Sequence, residues 1–419
     1  MMRKVCVMGL GYIGLPTAAV LATHGFQVIG VDTNPNTVDT INKGEVHIEE
    51  PGLRTLVQAA SKSGNLVACG EPKPADAFVI CVPTPLSPQK RADLSYVIAA
   101  AEAIVPYLRP GNLVILESTV PPGTTVKVVL PILERSGLKA EAEFHLAYCP
   151  ERVLPGNILN EIIKNDRVLG GVTPQAAERA KALYEPFVEG NLYLADATTA
   201  EVVKLAENTF RDVNIALANE LASICTALGV DVWEVIELAN RHPRVNFLNP
   251  GPGVGGHCLS VDPWFLVEVA PQEARLIRVS RETNDGQPKK VVEVIREMVK
   301  GIERPKVTVL GVAYKGNVDD TRESPAIALI ELLKELNYAV GIYDPHVRGF
   351  CYEISGLEEA FKNSDCAVLV TDHDEFKYLS PEQLGSLMRT RQVLDTRRCL
   401  SLDRWEAAGF RVRLLGKGA

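Results

Sequence analysis

The sequence predicts an α/β protein: two doubly wound domains joined by a central helical domain. Three observations carry that prediction. Short apolar, β-prone runs alternate with helical stretches up to residue 195, the pattern of a parallel sheet covered by helices. From Asp196 the texture changes, and Ala200 to Leu228 is apolar and helical without a proline or glycine. At Lys306–Gly311 the strand–glycine–helix theme begins again. The expected domains are residues 1–195, 196–300 and 301–419, a length too great for one ordinary core.

The first element is Lys4-Val-Cys-Val-Met-Gly9, followed at once by Gly9-Leu-Gly11-Tyr12-Ile13-Gly14 and a helix over Leu15 to Thr23. A second strand, Gln27 to Asp32, ends in an acid. This is the dinucleotide fingerprint in its context: a tight turn, a backbone that approaches a pyrophosphate, a helix N-terminus and a carboxylate for ribose hydroxyls. The sheet is therefore Rossmann-like and the expected cofactor is NAD. Asp32 would repel a 2′-phosphate, which disfavours NADP. Strands at Ala77–Val82 and Leu113–Thr119 flank a helix from about Tyr96 to Leu108. Thr84 and Thr119 fall just past strand ends, where a hydroxyl either caps the turn or hydrogen-bonds a ligand. A strand from His145 runs into Cys149-Pro-Glu151-Arg152-Val153. There Glu151 and Arg152 either face a ligand at the mouth of the sheet or form a solvated pair.

Composition narrows the partners. The 46% hydrophobic and 23% charged residues are ordinary for a globular protein, and the net charge of −8 gives no footprint for nucleic acid or an anionic membrane. The N-terminus runs straight into a strand, with no signal-peptide pattern, and no apolar run reaches ~18 residues. Nine scattered cysteines without a CxxC pair argue against disulfides or zinc and for a reducing cytosol.

In the helical centre, Lys204, Asn208 and Arg211 fall at i, i+4 and i+7 and share one helix face. Glu201 is a plain ion-pair partner for Lys204, yet asparagine in mid-helix costs propensity and hints at a purpose. A helix from Asp231 to Asn240 leads to Arg241-His242-Pro-Arg244 and then to Asn249-Pro-Gly-Pro-Gly-Val-Gly255-Gly256-His-Cys258, with Asp262 four residues on. Glycines permit close approach and prolines stiffen it, so Cys258 is either a presented thiolate or a buried structural cysteine. Ala274 to Lys300 is a helical stretch broken by Gly286 and Pro288. The last domain repeats strand-then-acid at Ala339–Asp344, with further strands at Cys366–Thr371 and Gln392–Asp395. Its first turn lacks GxGxxG, which suits a mononucleotide group better than a second NAD.

With these pieces placed, the whole chain resembles the nucleotide-sugar 6-dehydrogenases, the UDP-glucose/GDP-mannose dehydrogenase family. Three stretches narrow the resemblance to the branch acting on UDP-N-acetyl-D-mannosamine: Tyr148 to Gly156, Glu207 to Ala216, and Asn240 to Asn246 continued by Gly255 to Phe265. The UDP-glucose branch has Pro-Glu-Phe-Leu where Pro150-Glu-Arg-Val153 stands, and a lysine where this chain has Val261.

The resemblance implies a four-electron oxidation of the sugar C6 hydroxymethyl to a carboxylate, with two NAD reduced. It implies Lys204 as general acid/base, Asn208 beside it, Cys258 as nucleophile, and Asp262 in deacylation with Glu151 or Thr119 as water positioners. Tyr12, Ile13, Asp32, Thr84, Thr119 and Arg322 would contact NAD, along with the Gly9, Gly11 and Gly14 turn. Arg152, Val153, Lys204, Asn208, Arg211, His242, Arg244 and Gly255 would contact the sugar nucleotide, and Tyr314 and Lys315 its uridine diphosphate end. The residue matching Arg244 reaches the neighbouring subunit's site in the family, which implies a homodimer. UDP-N-acetylglucosamine is the alternative substrate within this chemistry. A β-hydroxyacid dehydrogenase would release one NADH per substrate and have no use for Cys258. An inactive nucleotide-sugar-binding module would have no need of the thiol either.

Overall fold

The computed structural model describes residues 2–140, 142–154 and 156–418, so Pro155 of the loop after the His145 strand lies outside the described residues. The chain forms two compact units: Met1–Glu207 with Glu268–Pro271, and Asn208–Val267 with Gln272–Ala419.

The first unit is built on β1 (Lys4–Met8), β2 (Gln27–Val31), β3 (Leu66–Cys69), β4 (Ala77–Ile80), β5 (Leu113–Leu116), β6 (His145–Tyr148), β7 (Arg167–Gly171) and β8 (Leu192–Asp196). They lie in the order β3-β2-β1-β4-β5-β6-β7-β8, all parallel except the antiparallel β6–β7 pair. Because helices cover both faces, β4 and β5 are buried at every position. Alternate residues feed opposite layers: Val5 and Val7 join Leu15 and Leu21 on one face, while Cys6 and Met8 join Phe78 and Ile80 on the other. The helix α1 (Gly14–Thr23) packs on the first layer, and α2 (Pro174–Tyr184) carries Tyr184 into the same core. The strand order reverses between β1 and β4, the position at which open α/β sheets take their ligands.

Helix α3 (Ala197–Leu228) contains the boundary between the units. The second unit continues through α4 (Val232–Ala239), α5 (Asp262–Val269, whose end from Glu268 falls in the first unit), α6 (Arg275–Asp285) and α7 (Gln287–Met298). Gly286 separates α6 from α7, and Pro288 stands in the first turn of α7, where its missing N–H has no cost. The sheet that follows is wholly parallel: β9 (Lys306–Leu310), β10 (Ala339–Tyr343), β11 (Cys366–Leu369), β12 (Gln392–Asp395) and β13 (Arg411–Leu414), ordered β10-β9-β11-β12-β13. Val291, Val292 and Ile295 of α7 pack in one core with Val307, Val309 and Val368. Ala218, Ala222 and Trp233 close a smaller cluster with Leu414. Helical centre and last sheet thus bury shared apolar surface. Among the described residues no helix is long and apolar enough to cross a membrane.

Candidate active site

The glycine turn of the first unit has the shape its sequence predicts. Gly9 lies at φ +88°, and a Cβ there would meet the Cys81 carbonyl oxygen at 2.8 Å. A Cβ on Gly14 would fall 1.8 Å from the Gly9 carbonyl oxygen, so neither position admits a side chain. At Gly11 nothing lies within 4 Å, which leaves open space where a pyrophosphate would approach. Leu10 N–H donates to Asp32 Oδ2 at 3.0 Å and Asn34 N–H to Oδ1 at 2.9 Å, fixing the acid at the end of β2. Ile13 caps α1 and Tyr12 is exposed beside it. Thr84 Oγ1 donates to the Thr119 carbonyl at 2.6 Å, so the threonines past β4 and β5 meet. These features fit a dinucleotide.

Glu151 and Arg152 do not pair with one another through their side chains. Buried Glu151 accepts the Arg152 backbone N–H at 2.7 Å and the Arg167 guanidinium at 3.0 Å. Arg152 pairs with Glu207 at 2.6 Å and donates to the Asp166 carbonyl. Val153 packs half-buried against the core. Arg167 also lies 4.8 Å from the Tyr184 ring centroid and 3.6 Å from Cys149 Sγ. Nearby Glu117 accepts from Cys81 Sγ at 3.0 Å and from the Tyr184 hydroxyl. Burial pushes the Glu117 carboxyl up, with Arg167 pulling the other way. Sequence reading missed Arg167, Glu117 and Tyr184; the signal for the first was an arginine opening an otherwise apolar strand. Lys204 is only 9% exposed and, among the described residues, paired with no carboxylate. Glu201 does not serve it: its carboxylate accepts from Gly123 N–H, Thr125 N–H and Thr125 Oγ1 at 2.5–2.8 Å.

In the second unit, Asn208 Nδ2 donates to Asp262 Oδ2 at 2.6 Å, both residues being buried. Half-buried Cys258 stands in the turn before α5, its carbonyl accepting the N–H groups of Val261 at 3.0 Å and Asp262 at 2.8 Å. The glycines before it are close-packed. A Cβ at Gly255 would lie 2.6 Å from the Glu323 carbonyl oxygen, and one at Gly256 (φ +87°) 2.9 Å from the Tyr314 ring. Gly256 N–H donates to the Arg322 carbonyl at 3.0 Å. Burial, then the nearby Asp320 and Cys258, push the Tyr314 hydroxyl up. Arg322 forks onto Asp320 at 2.6–3.1 Å, and His257 Nδ1 is 3.9 Å from the same carboxylate. Arg397 closes the approach to Gly251, where a Cβ would meet its Nη1 at 2.7 Å. Asp320 and Arg397 were not singled out in the sequence, although Arg397 lies just past the strand that ends at Asp395. Arg211, His242, Arg244 and Lys315 stand exposed.

At the first turn of the last sheet, the amides of Val312 and Ala313 donate to Asp344 Oδ2 at 2.7 and 3.2 Å. His346, His373 and Glu375 bring possible metal-ligand atoms within 4.8 Å. Both His373 nitrogens already have partners, however: Asn317 N–H donates to Nδ1 at 3.0 Å, and Nε2 faces Asp344 at 3.0 Å. This cluster reads as a brace for the loop of Tyr314 to Asn317.

Models of the UDP-glucose/GDP-mannose dehydrogenase family match nearly the whole chain: the NAD binding domain over 3–188, the central domain over 198–286 and the UDP binding domain over 308–402. The chain belongs to this dehydrogenase family. Its similarity to UDP-N-acetyl-D-mannosamine dehydrogenase of Methanococcus vannielii is 51% identity, covering 100% of this chain and 98% of that one. An NDP-N-acetyl-D-galactosaminuronic acid dehydrogenase of Ralstonia nicotianae is 48% identical over 96% of this chain and 97% of its own. The solved UDP-D-ManNAc dehydrogenase of Pyrococcus horikoshii superposes with a TM-score of 0.94 at 42% identity, covering 99% of both chains. The chain is thus a dehydrogenase of this family, with the two α/β domains and helical centre that its sequence predicts.

Proposed function

We propose that this dehydrogenase oxidises UDP-N-acetyl-D-mannosamine at C6 to UDP-N-acetyl-D-mannosaminuronate. The observation that carries this reading is a half-buried cysteine on a glycine-rich loop, one turn ahead of a buried Asn208–Asp262 hydrogen bond. The names of the Methanococcus and Pyrococcus relatives support N-acetylmannosamine as the sugar. The Ralstonia relative supports an acetamido sugar more broadly.

NAD, bound at the Gly9–Gly14 turn and Asp32, would accept one hydride in each of two oxidations. Lys204 would hold the C6 oxygen and take up the hydroxyl proton as the alcohol becomes the aldehyde, with Asn208 steadying the same oxygen. The Cys258 thiolate then adds to the aldehyde carbon, and the new alkoxide takes a proton to give a thiohemiacetal. Loss of a second hydride and the hydroxyl proton leaves a thioester. Water, positioned by Glu151 or Thr119 and activated by Asp262, cleaves the carbon–sulfur bond, giving the carboxylate and freeing the thiol. A thiol is needed because a bare aldehyde has no alkoxide-like oxygen to drive hydride departure.

Arg152, Val153, Arg211, His242, Gly255, Tyr314 and Lys315 are assigned to the sugar nucleotide and Arg322 to the cofactor. Exposed Phe210, Leu217 and Ile224, at seven-residue spacing on α3, support a homodimer in which Arg244 is shared. The scattered cysteines support a cytosolic enzyme, and the uronate product suits a role in surface polysaccharide precursors. The test is an NADH assay across UDP-N-acetylmannosamine, UDP-N-acetylglucosamine, UDP-glucose and GDP-mannose, counting NADH per sugar. Two NADH and a preference for the first sugar are expected; one NADH per sugar, or preference for a hexose without the acetamide, overturns the reading.

A further inference from the structure

The cysteine loop is gripped at both ends by one buried polar network. Upstream, Gly251 N–H donates to Asn219 Oδ1 at 2.8 Å, and Asn219 Nδ2 donates to Asn284 Oδ1 at 2.9 Å. Asn284 Nδ2 donates to the carboxylate of Asp212 at 2.8 Å and to its carbonyl at 3.0 Å. Downstream, Arg281 donates through Nη1 to Asp212 Oδ1 at 2.5 Å and to the Leu259 carbonyl at 3.4 Å, while Nη2 holds Asp285. Leu259 is the residue after Cys258. The two routes therefore meet at Asp212, and the loop from Gly251 to Leu259 closes the circuit.

All four side chains, Asp212, Asn219, Arg281 and Asn284, are at most 1% exposed. Burying so many polar groups is unfavourable, all the more as Asp212 Oδ2 and Arg281 Nε find no hydrogen-bond partner among the described residues, and apolar residues would hold α3 against α6 at no such cost. What the network supplies and an apolar contact would not is direction. Its members point at backbone groups on either side of one cysteine. Asp212 and Asn219 also follow Asn208 on α3 by one and three turns, so the helix that carries Asn208 fixes the loop that carries Cys258.

We propose that Asn219 and Arg281, joined through Asp212 and Asn284, are positioning residues for the Cys258 thiol. This rests on the reading of Cys258 as the nucleophile. Slackening the network moves the sulfur away from the aldehyde carbon and leaves the residues assigned to the first oxidation in place. The second oxidation fails selectively, and aldehyde escapes. A displacement near 1 Å is enough for a loss of about 100-fold in thiol addition.

The decisive variant is Asn219→Ala in the full-length protein, assayed with UDP-N-acetylmannosamine and semicarbazide to capture free aldehyde. The expected result is NADH per sugar falling from two toward one, captured aldehyde, and slower alkylation of Cys258 by iodoacetamide. A ratio held at two, with rate lost only in proportion to folded protein, overturns the proposal. Where Asn219→Ala does not fold, Arg281→Lys keeps the charge beside Asp212, loses the fork to Leu259, and is read by the same ratio. Cys258→Ala separates the two levels. If it still yields two NADH per sugar, the thiol reading falls and the positioning role with it. If it does not, while Asn219→Ala does, only the positioning role falls.

Discussion

Asn208 and Asp262, 54 positions apart, meet at 2.6 Å in a buried hydrogen bond between an amide and a carboxylate. Asn208→Asp puts a second carboxylate in its place, and the pair will then retain one proton well above the ordinary carboxylate range. Acid formation should fall roughly 100-fold at pH 8. It should recover as pH drops and the shared proton restores the hydrogen bond. A pH–rate profile parallel to that of the native protein would remove this contact from the chemistry.

Lys204 is only 9% exposed and pairs with no carboxylate among the described residues, which leaves its Nζ for a ligand oxygen. Lys204→Ala should slow the first hydride transfer by about 100-fold or more. Stopped-flow absorbance reads this as loss of the early NADH burst. A burst of native amplitude and rate would exclude the proton-transfer role.

Gly256 and Gly25 share nearly the same backbone, φ +87° and +88°, but differ in surroundings. A Cβ at Gly256 meets the Tyr314 ring at 2.9 Å, whereas at Gly25 it meets nothing within 4 Å. Both alanine variants carry the left-handed penalty of about 1–2 kcal/mol. Only Gly256→Ala should also displace the cysteine loop and lose activity. Equal activity losses in the two, measured beside their thermal midpoints, would show that backbone strain alone matters.

Burial alone would raise the Asp344 carboxyl, but His373 and the N–H groups of Val312, Val347 and His346 outweigh it and hold it well below the usual range. A depressed carboxylate contributes stability that is fully present above its unfolded value, near 3.9, and is lost as pH falls toward the folded one. Asp344→Asn should therefore cost on the order of 3 kcal/mol near pH 7 and flatten the acid limb below pH 4. Urea unfolding across pH 2–7 checks both; an unchanged acid limb would assign that limb to other groups.

Strands that lead straight into a glycine or an acid were legible in the sequence. β1, β2, β9, β10 and β12 lie where Lys4, Gln27, Lys306, Ala339 and Gln392 open them. Four strands escaped for a physical reason. β3 and β8 are edge strands with exposed Val67, Tyr193 and Leu194, β7 opens on Arg167 and ends in two glycines, and β13 alternates arginine with apolar residues. β13 has only one bonded neighbour and so need not be apolar, whereas β3 and β8 are mainly apolar yet leave side chains exposed at the sheet edge. Local motifs such as the Gly9–Gly14 turn were readable, because each residue's job is set by its near neighbours. The partners Arg167 and Asn219 were not, since each acts on a residue distant in sequence and tertiary folding alone reveals the pairing; Asp320 binds Arg322 two positions on, but its approach to His257 is likewise visible only in the fold.

The crowding at Gly255 and Gly256 also bears on how this gene can change. Every single-base change in a glycine codon that alters the amino acid yields a residue with a Cβ, or a stop. At these two positions that atom would fall 2.6 and 2.9 Å from its nearest neighbours. No one-step path leads out of either glycine without moving Tyr314 or the segment at Glu323. A lineage drifting toward a new sugar would have to vary the residues around this loop, because the loop itself is locked at the level of the codon.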